Sequence, residues 1–145
     1  MEIQELKQSE LRDYVMLLKE LDKEDVISFR DAELMFERLA EYPFYKVFTV
    51  PHEDMMVGTF TLLIVDNFAH GGLKFAVLEN VVVHPSFQRL GIGKKMMEEA
   101  LRIAGQNDCY KLMLSSNGKR TEAHAFYESL GFEQHGVSYV TELIK

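Results

Sequence analysis

Leu78-Glu79-Asn80-Val81-Val82-Val83-His84-Pro85-Ser86-Phe87-Gln88-Arg89-Leu90-Gly91-Ile92-Gly93-Lys94-Lys95-Met96-Met97 decides how this chain is read. With Ala76 and Val77 before it, the first part is a near-continuous apolar run broken only by Glu79 and Asn80, which suits a strand covered on both faces. Pro85 has no N–H to give a ladder and biases His84 to extended geometry, so the strand stops there. From Ile92 the apolar residues fall at Ile92, Met96, Met97, Ala100, Leu101 and Ala104, one stripe of a helix. On the wet face Lys94 is spaced to pair with Glu98, and Lys95 with Glu99.

Between strand and helix lies Gln88-Arg89-Leu90-Gly91-Ile92-Gly93. A strand feeding a helix through small residues leaves the helix's first N–H groups pointing into the loop. Together with the positive end of the helix dipole they make a site for phosphate. Gly91 and Gly93 lack a Cβ, so a ligand can approach the backbone, while Arg89 and Lys94 add positive charge at the mouth. The plain alternative is a strand–loop–helix joint whose glycines only ease the turn.

The stretch resembles the GNAT superfamily of N-acetyltransferases. Gln88-x-x-Gly91-x-Gly93 matches that family's pyrophosphate loop: Gln or Arg, two residues, Gly, any residue, Gly or Ala. The preceding Leu-Glu-Asn-Val-Val-Val-His-Pro strand matches as well, and so does the block Ala123-His124-Ala125-Phe126-Tyr127-Glu128-Ser129-Leu130-Gly131-Phe132. Together they span residues 75–136 in the family's order and spacing. The resemblance implies an acetyl-CoA-dependent N-acetyltransferase. Its diphosphate would be held by Gln88, Arg89, Leu90, Gly91, Ile92, Gly93 and Lys94, and its pantetheine arm by backbone groups of Val81, Val82 and Val83.

A chain of 145 residues fits one domain, 1–145, with a real core. Apolar content near half places it among globular chains. No apolar run reaches the length of a membrane span, and Met1-Glu2-Ile3-Gln4-Glu5 lacks a basic-then-apolar signal, so no membrane partner is expected. The lone Cys109 excludes an internal disulfide and suits the cytoplasm. A net charge of −7 argues against nucleic acid.

Residues 1–7 read as a first strand, and Ser9 as the N-cap of a helix with Leu11, Tyr14, Val15, Leu18 and Leu21 on one face. A second helix starts near Ser28 or Asp31, buries Met35, Phe36 and Leu39, and stops before Pro43. Residues 46–50 and 56–65 read as antiparallel strands, the second half covered, and 110–114 as a buried strand. The last helix ends at Gly131, and 132–136 and 138–144 are expected to close the sheet. The family's fold is α/β, with helices on both faces of a mixed, mostly antiparallel sheet of about six to seven strands. In that fold the fourth and fifth strands splay apart, here between Val81-Val82-Val83 and residues 111–114. The first two helices wall the acceptor pocket.

Amide formation from a thioester needs a neutral amine, support for the oxyanion and help for the departing thiolate. Glu79 is the candidate base: burial in an apolar strand would raise its pKa, and several relatives carry a glutamate there. The alternative is a carboxylate satisfied by backbone donors or a lysine. His84 is the rival base. Tyr127 matches the family's general acid, and at a pKa of about 10 it stabilises a thiolate more readily than it protonates one. The plain reading is a tyrosine packed in the core. His124, one turn earlier, is a candidate cofactor contact. Asn117 corresponds loosely to a cofactor-contacting asparagine, with Lys119 and Arg120 as rivals because a few extra residues separate it from Tyr127. His52, His70 and His135 show no metal spacing. Cys109 has no nearby histidine in sequence, which argues against an acyl-cysteine route.

Direct transfer to a small primary amine (polyamine, amino acid or amino sugar) is therefore expected. Residues 108–112, Gly131-Phe132 and Gly136-Val137 resemble the branch acting on phosphorylated amino sugars. Leu112-Met113-Leu114 lacks the glutamate of the ribosomal-protein type. A protein lysine or N-terminal acceptor and a non-catalytic acyl-CoA-binding module are the alternatives. The closing strands offer an edge for a homodimer.

Overall fold

A computed structural model describes residues 1–24, 26–116 and 121–144. The chain forms two compact units, Met1–Met113 and Leu114–Lys145.

The first unit is built on a sheet in the order β1-β2-β3-β4-β5, with β1 Gln4–Glu5, β2 Tyr45–His52, β3 Met55–Val65, β4 Lys74–Val83 and β5 Cys109–Met113. The first four strands pair antiparallel and β5 joins β4 in parallel. That parallel step needs a crossover, which α3, Ile92–Gln106, supplies. β3 is buried from Met56 to Leu62, not half covered, because helices lie on both of its faces. Phe48 and Phe60, opposite each other on β2 and β3, stack at 5.0 Å.

α3 seats Ile92, Met96, Met97, Ala100 and Ala104 against the sheet, the stripe expected from the sequence. Gly58 on β3 makes room for it: a Cβ there would stand 2.9 Å from Met96 Sδ and 3.2 Å from Ile92 Cγ2. Lys94 lies 3.9 Å from Glu98 as expected. The Lys95–Glu99 pair does not form, because Arg102 grips Glu99 and Lys95 Nζ reaches the Met1 carbonyl.

Against the other face lies α1, Leu11–Leu18, where Leu11 packs with Leu6 and Val47 among Tyr14, Phe36 and Tyr45. Ser9 is not its cap. A short 3-10 turn at Gln8–Glu10 precedes it, and Glu10 accepts the Lys7 N–H instead. Leu21 falls beyond the helix and is exposed. α2, Phe29–Arg38, starts where expected: Ser28 Oγ accepts the Asp31 N–H at 3.1 Å. It buries Ala32, and Met35 is exposed.

In the second unit α4, Thr121–Ser129, ends in a left-handed Gly131, with Phe132 N–H returning to the Tyr127 carbonyl at 3.1 Å. The expected closing strands are absent. No ladder forms over residues 132–144 among the described residues, so the sheet has five strands and not six to seven. Val137, Tyr139, Val140, Leu143 and Ile144 have strand-like composition, but a strand exists only with a partner, and these side chains stand exposed.

Candidate active site

β4 and β5 pair from Lys74↔Cys109 to Val77↔Met113 and no further. Beyond that point β4 continues to Val83, bonded to β3 on one side, while its other edge has no strand partner among the described residues. The splay expected between Val81-Val82-Val83 and residues 111–114 takes another form: Lys111, Leu112 and Met113 pair with Phe75, Ala76 and Val77, β5 ends there, and the free edge of β4 begins two residues before Glu79. Val81 and Val83 are half-buried along it and Val82 turns into the core. The ladder to β3 is interrupted here as well. From Thr59↔Val82 to Thr61↔Glu79, β3 advances two residues and β4 three, so β4 carries a bulge, with Asn80 left-handed at φ 52°. A bulge releases backbone groups from the ladder, here beside Glu79.

Glu79 itself is exposed. The expectation of a carboxylate buried in the strand is therefore corrected: the apolar run predicted cover on both faces, but β5 ends at Met113, opposite Val77, and does not reach Glu79. Thr61 sits across the ladder from Glu79. Tyr45 lies in the field of Glu79, and its phenol pKa is raised first by burial, then by Tyr42 and Glu79.

After Val83 the chain turns through Pro85–Phe87. His84 Nδ1 accepts the Ser86 N–H at 3.1 Å, so that atom is engaged in holding the turn. Gln88 Nε2 donates to the Val83 carbonyl at 3.3 Å and braces the loop. Arg89 and Gly91 are both left-handed, at φ 65° and 84°. Gly91 is the N-cap of α3, without a side-chain cap, and apart from its chain neighbours no atom of the described residues lies within 4 Å of where its Cβ would stand. The first intrahelical bond runs from Lys95 N–H to the Gly91 carbonyl. The N–H groups of Ile92, Gly93 and Lys94 thus precede the ladder, no acidic side chain occupies the first turn, and Arg89, Leu90 and Lys94 are exposed around them. Gly93 is already helical. Bare donors, an open approach and unpaired strand edge fit a diphosphate followed by an amide-bearing arm.

In the second unit His124 and Tyr127 lie three apart on α4, both half-buried. The Tyr127 ring meets Phe126 at 5.4 Å and Phe132 at 5.9 Å. Asn117, Lys119 and Arg120 lie outside the described residues. Tyr14 and Thr61 carry no mark of a site residue in the sequence, whereas Tyr45 belongs to the aromatic group (Phe29, Phe36, Tyr42, Phe44, Tyr45) from which one or two pocket-lining residues are expected. Cross-strand register sets Thr61 opposite Glu79, and helix docking brings Tyr14 to Thr61; the one local signal is the polar Asn80 beside Glu79 in an apolar strand.

The profile of the acetyltransferase (GNAT) family matches residues 4–132. A glucosamine 6-phosphate N-acetyltransferase of Trypanosoma brucei brucei is 32% identical over 136 residues, covering 93% of this chain and 90% of that protein. A solved acetyltransferase of Trypanosoma brucei superposes with a TM-score of 0.87 at 27% identity, over 98% of this chain and 99% of that one. The glucosamine-6-phosphate N-acetyltransferase of Arabidopsis thaliana shares the fold, with a TM-score of 0.89 at 22% identity over 99% and 98%. The chain belongs to the GNAT family of acetyltransferases and is an acyltransferase that takes acetyl-CoA as its co-substrate.

Proposed function

We propose that this chain, as one domain over residues 1–145, transfers the acetyl group of acetyl-CoA to the primary amine of a small amino sugar, a hexosamine phosphate first, in a ternary complex. The observation that carries the reading is the edge of β4 left free beyond Val77, which runs past Glu79 and is continuous in sequence with the bare N-terminus of α3. The acceptor class is supported by the Trypanosoma brucei brucei relative, similar over nearly the whole chain.

Acetyl-CoA supplies the activated acyl group. Amides of Ile92, Gly93 and Lys94, with the cations of Arg89 and Lys94, bind its diphosphate, and the free edge of Val81–Val83 binds the arm that follows. Glu79 takes the proton of the acceptor's ammonium, directly or through water, since its exposed carboxylate is open to both. Amides freed by the bulge face the oxygen on which negative charge gathers. Tyr127 steadies the leaving thiolate by hydrogen bonding, a role that rests on the sequence match. A cavity of about 100 Å³ between α1, α2 and β2, lined in part by Tyr14, Met35, Phe36 and Tyr45, supports these helices as the wall of the acceptor pocket. The free Cys109 fits a cytoplasmic protein. The exposed apolar tail of residues 137–144 favours a homodimer.

Thiol release should be followed with purified chain, acetyl-CoA and a panel of glucosamine 6-phosphate, glucosamine, polyamines, amino acids and lysine peptides. Turnover with the hexosamine phosphate at least 10-fold above the others is expected. Preference for peptides would replace the acceptor class, and tight acetyl-CoA binding without release would make the chain a binding module.

A further inference from the structure

The sheet holds three buried threonines, and two are satisfied. Thr59 Oγ1 donates to the Phe48 carbonyl at 2.7 Å, and Thr49 Oγ1 to the Gln4 carbonyl at 3.4 Å. Thr61, 1% exposed, has no well-formed hydrogen bond from Oγ1 to any described residue. A buried hydroxyl left alone costs stability, and valine would fill the same volume without that cost, so this threonine needs a reason.

Its surroundings supply one. Thr61 lies between Val47 on β2 and Glu79 on β4 in one cross-strand row, so the three side chains share a face. The Tyr14 phenol reaches down from α1 onto that face. Burial pushes its pKa up to about 12, and a hydrogen-bonding interaction with the Thr61 hydroxyl, outside good geometry, pulls the other way. Tyr45 lies diagonally from Thr61 on the same face, in the field of Glu79. The row ends at the bulge, where Asn80 takes the chain out of regular pairing. Polar groups therefore collect behind Glu79, where the Tyr14 phenol is the polar group that approaches Thr61 and no well-formed bond joins the two.

We propose that Thr61 is a positioning residue: its hydroxyl, with that of Tyr14, holds one buried water that hydrogen-bonds the Glu79 carboxylate and sets its orientation at the free edge of β4. Such a water gains the several polar partners that internal waters require, and it satisfies the threonine. The catalytic half of this inference rests on Glu79 being the base; the water site does not.

The experiment measures Tm and steady-state kinetics for the full chain carrying Thr61→Val, Thr61→Ser, Tyr14→Phe and Glu79→Gln, and for the Thr61→Val/Glu79→Gln double variant. Thr61→Val should lower Tm by a few degrees and kcat about 10-fold, with the acceptor KM and acetyl-CoA affinity within 2-fold of wild type. Thr61→Ser should restore both, and Tyr14→Phe should move both in the direction of Thr61→Val. In the Glu79→Gln background, Thr61→Val should lower Tm again and kcat no further. A Thr61→Val protein as stable as wild type or more so overturns the inference; where Glu79→Gln lowers kcat, an unchanged kcat in Thr61→Val overturns it too, as does a full second loss of kcat in the double variant. If Glu79→Gln keeps wild-type turnover while Thr61→Val still lowers Tm, the base assignment fails and the water site stands.

Discussion

Gly91 combines two properties that pull a substitution in different directions. Its φ of 84° is strained for any residue with a Cβ, yet the space where that Cβ would stand is open. Gly91→Ala should therefore cost about 1–2 kcal/mol of stability without a clash in the free protein. The new methyl intrudes where the diphosphate approaches, so acetyl-CoA affinity should fall at least 10-fold, and Gly91→Glu should abolish it. Calorimetric titration decides this, and unchanged affinity would remove the anion site from α3. Tyr14 gives a second test through linkage. Its phenol is pushed up from 10.0 to about 12 by burial, so the folded chain keeps a proton that the unfolded chain loses. That contribution is complete below pH 10 and is lost as pH rises through 12, a fall of about 2–3 kcal/mol. Urea unfolding at pH 9 and pH 12 should show a drop smaller by about that amount in Tyr14→Phe. For Tyr127, replacement by Phe should lower kcat about 10-fold and leave acetyl-CoA affinity within 2-fold; equal activity would leave it as a packing residue.

The helix α3 and the strand β3 depend on each other at Gly58. A valine there meets Met96 Sδ and Ile92 Cγ2 inside van der Waals range, and Met96 is fully buried. Gly58→Val should destabilise the first unit by about 1–3 kcal/mol in chemical denaturation. Because Ile92 opens the same helix that carries the anion site, acetyl-CoA affinity should decline with it. A stable Gly58→Val protein with full affinity would show that α3 can shift away from the sheet without disturbing its N-terminus. In β4 the run Val81–Val83 has the composition of a central strand, and among the described residues it is bonded on a single side. That unpaired edge is the element on which the proposed chemistry is built.

For the molecule as a whole, the apolar tail bears on assembly. Tyr139, Val140, Leu143 and Ile144 are each 91% exposed, a cost in water that a second copy would relieve. Light scattering should give a dimer for the full chain and a monomer when residues 137–145 are removed; equal masses would discard the tail as an interface. No helix among the described residues is long and apolar enough to cross a membrane.

Local patterns in the sequence determined the strand, the proline stop, the glycine loop and the stripe of α3, because each depends on neighbours within about four positions. The Ser28 cap and the Gly131 stop were legible for the same reason. Burial and pairing were not, since they depend on residues far along the chain. Glu79 reads as buried by its apolar neighbours, and it is exposed because β5 ends at Met113, opposite Val77. The tail reads as strand by composition and has no ladder to join. The meeting of Tyr14, Thr61 and Glu79 was decided by cross-strand register and the docking of α1, and a shift of one residue would have sent these side chains to opposite faces.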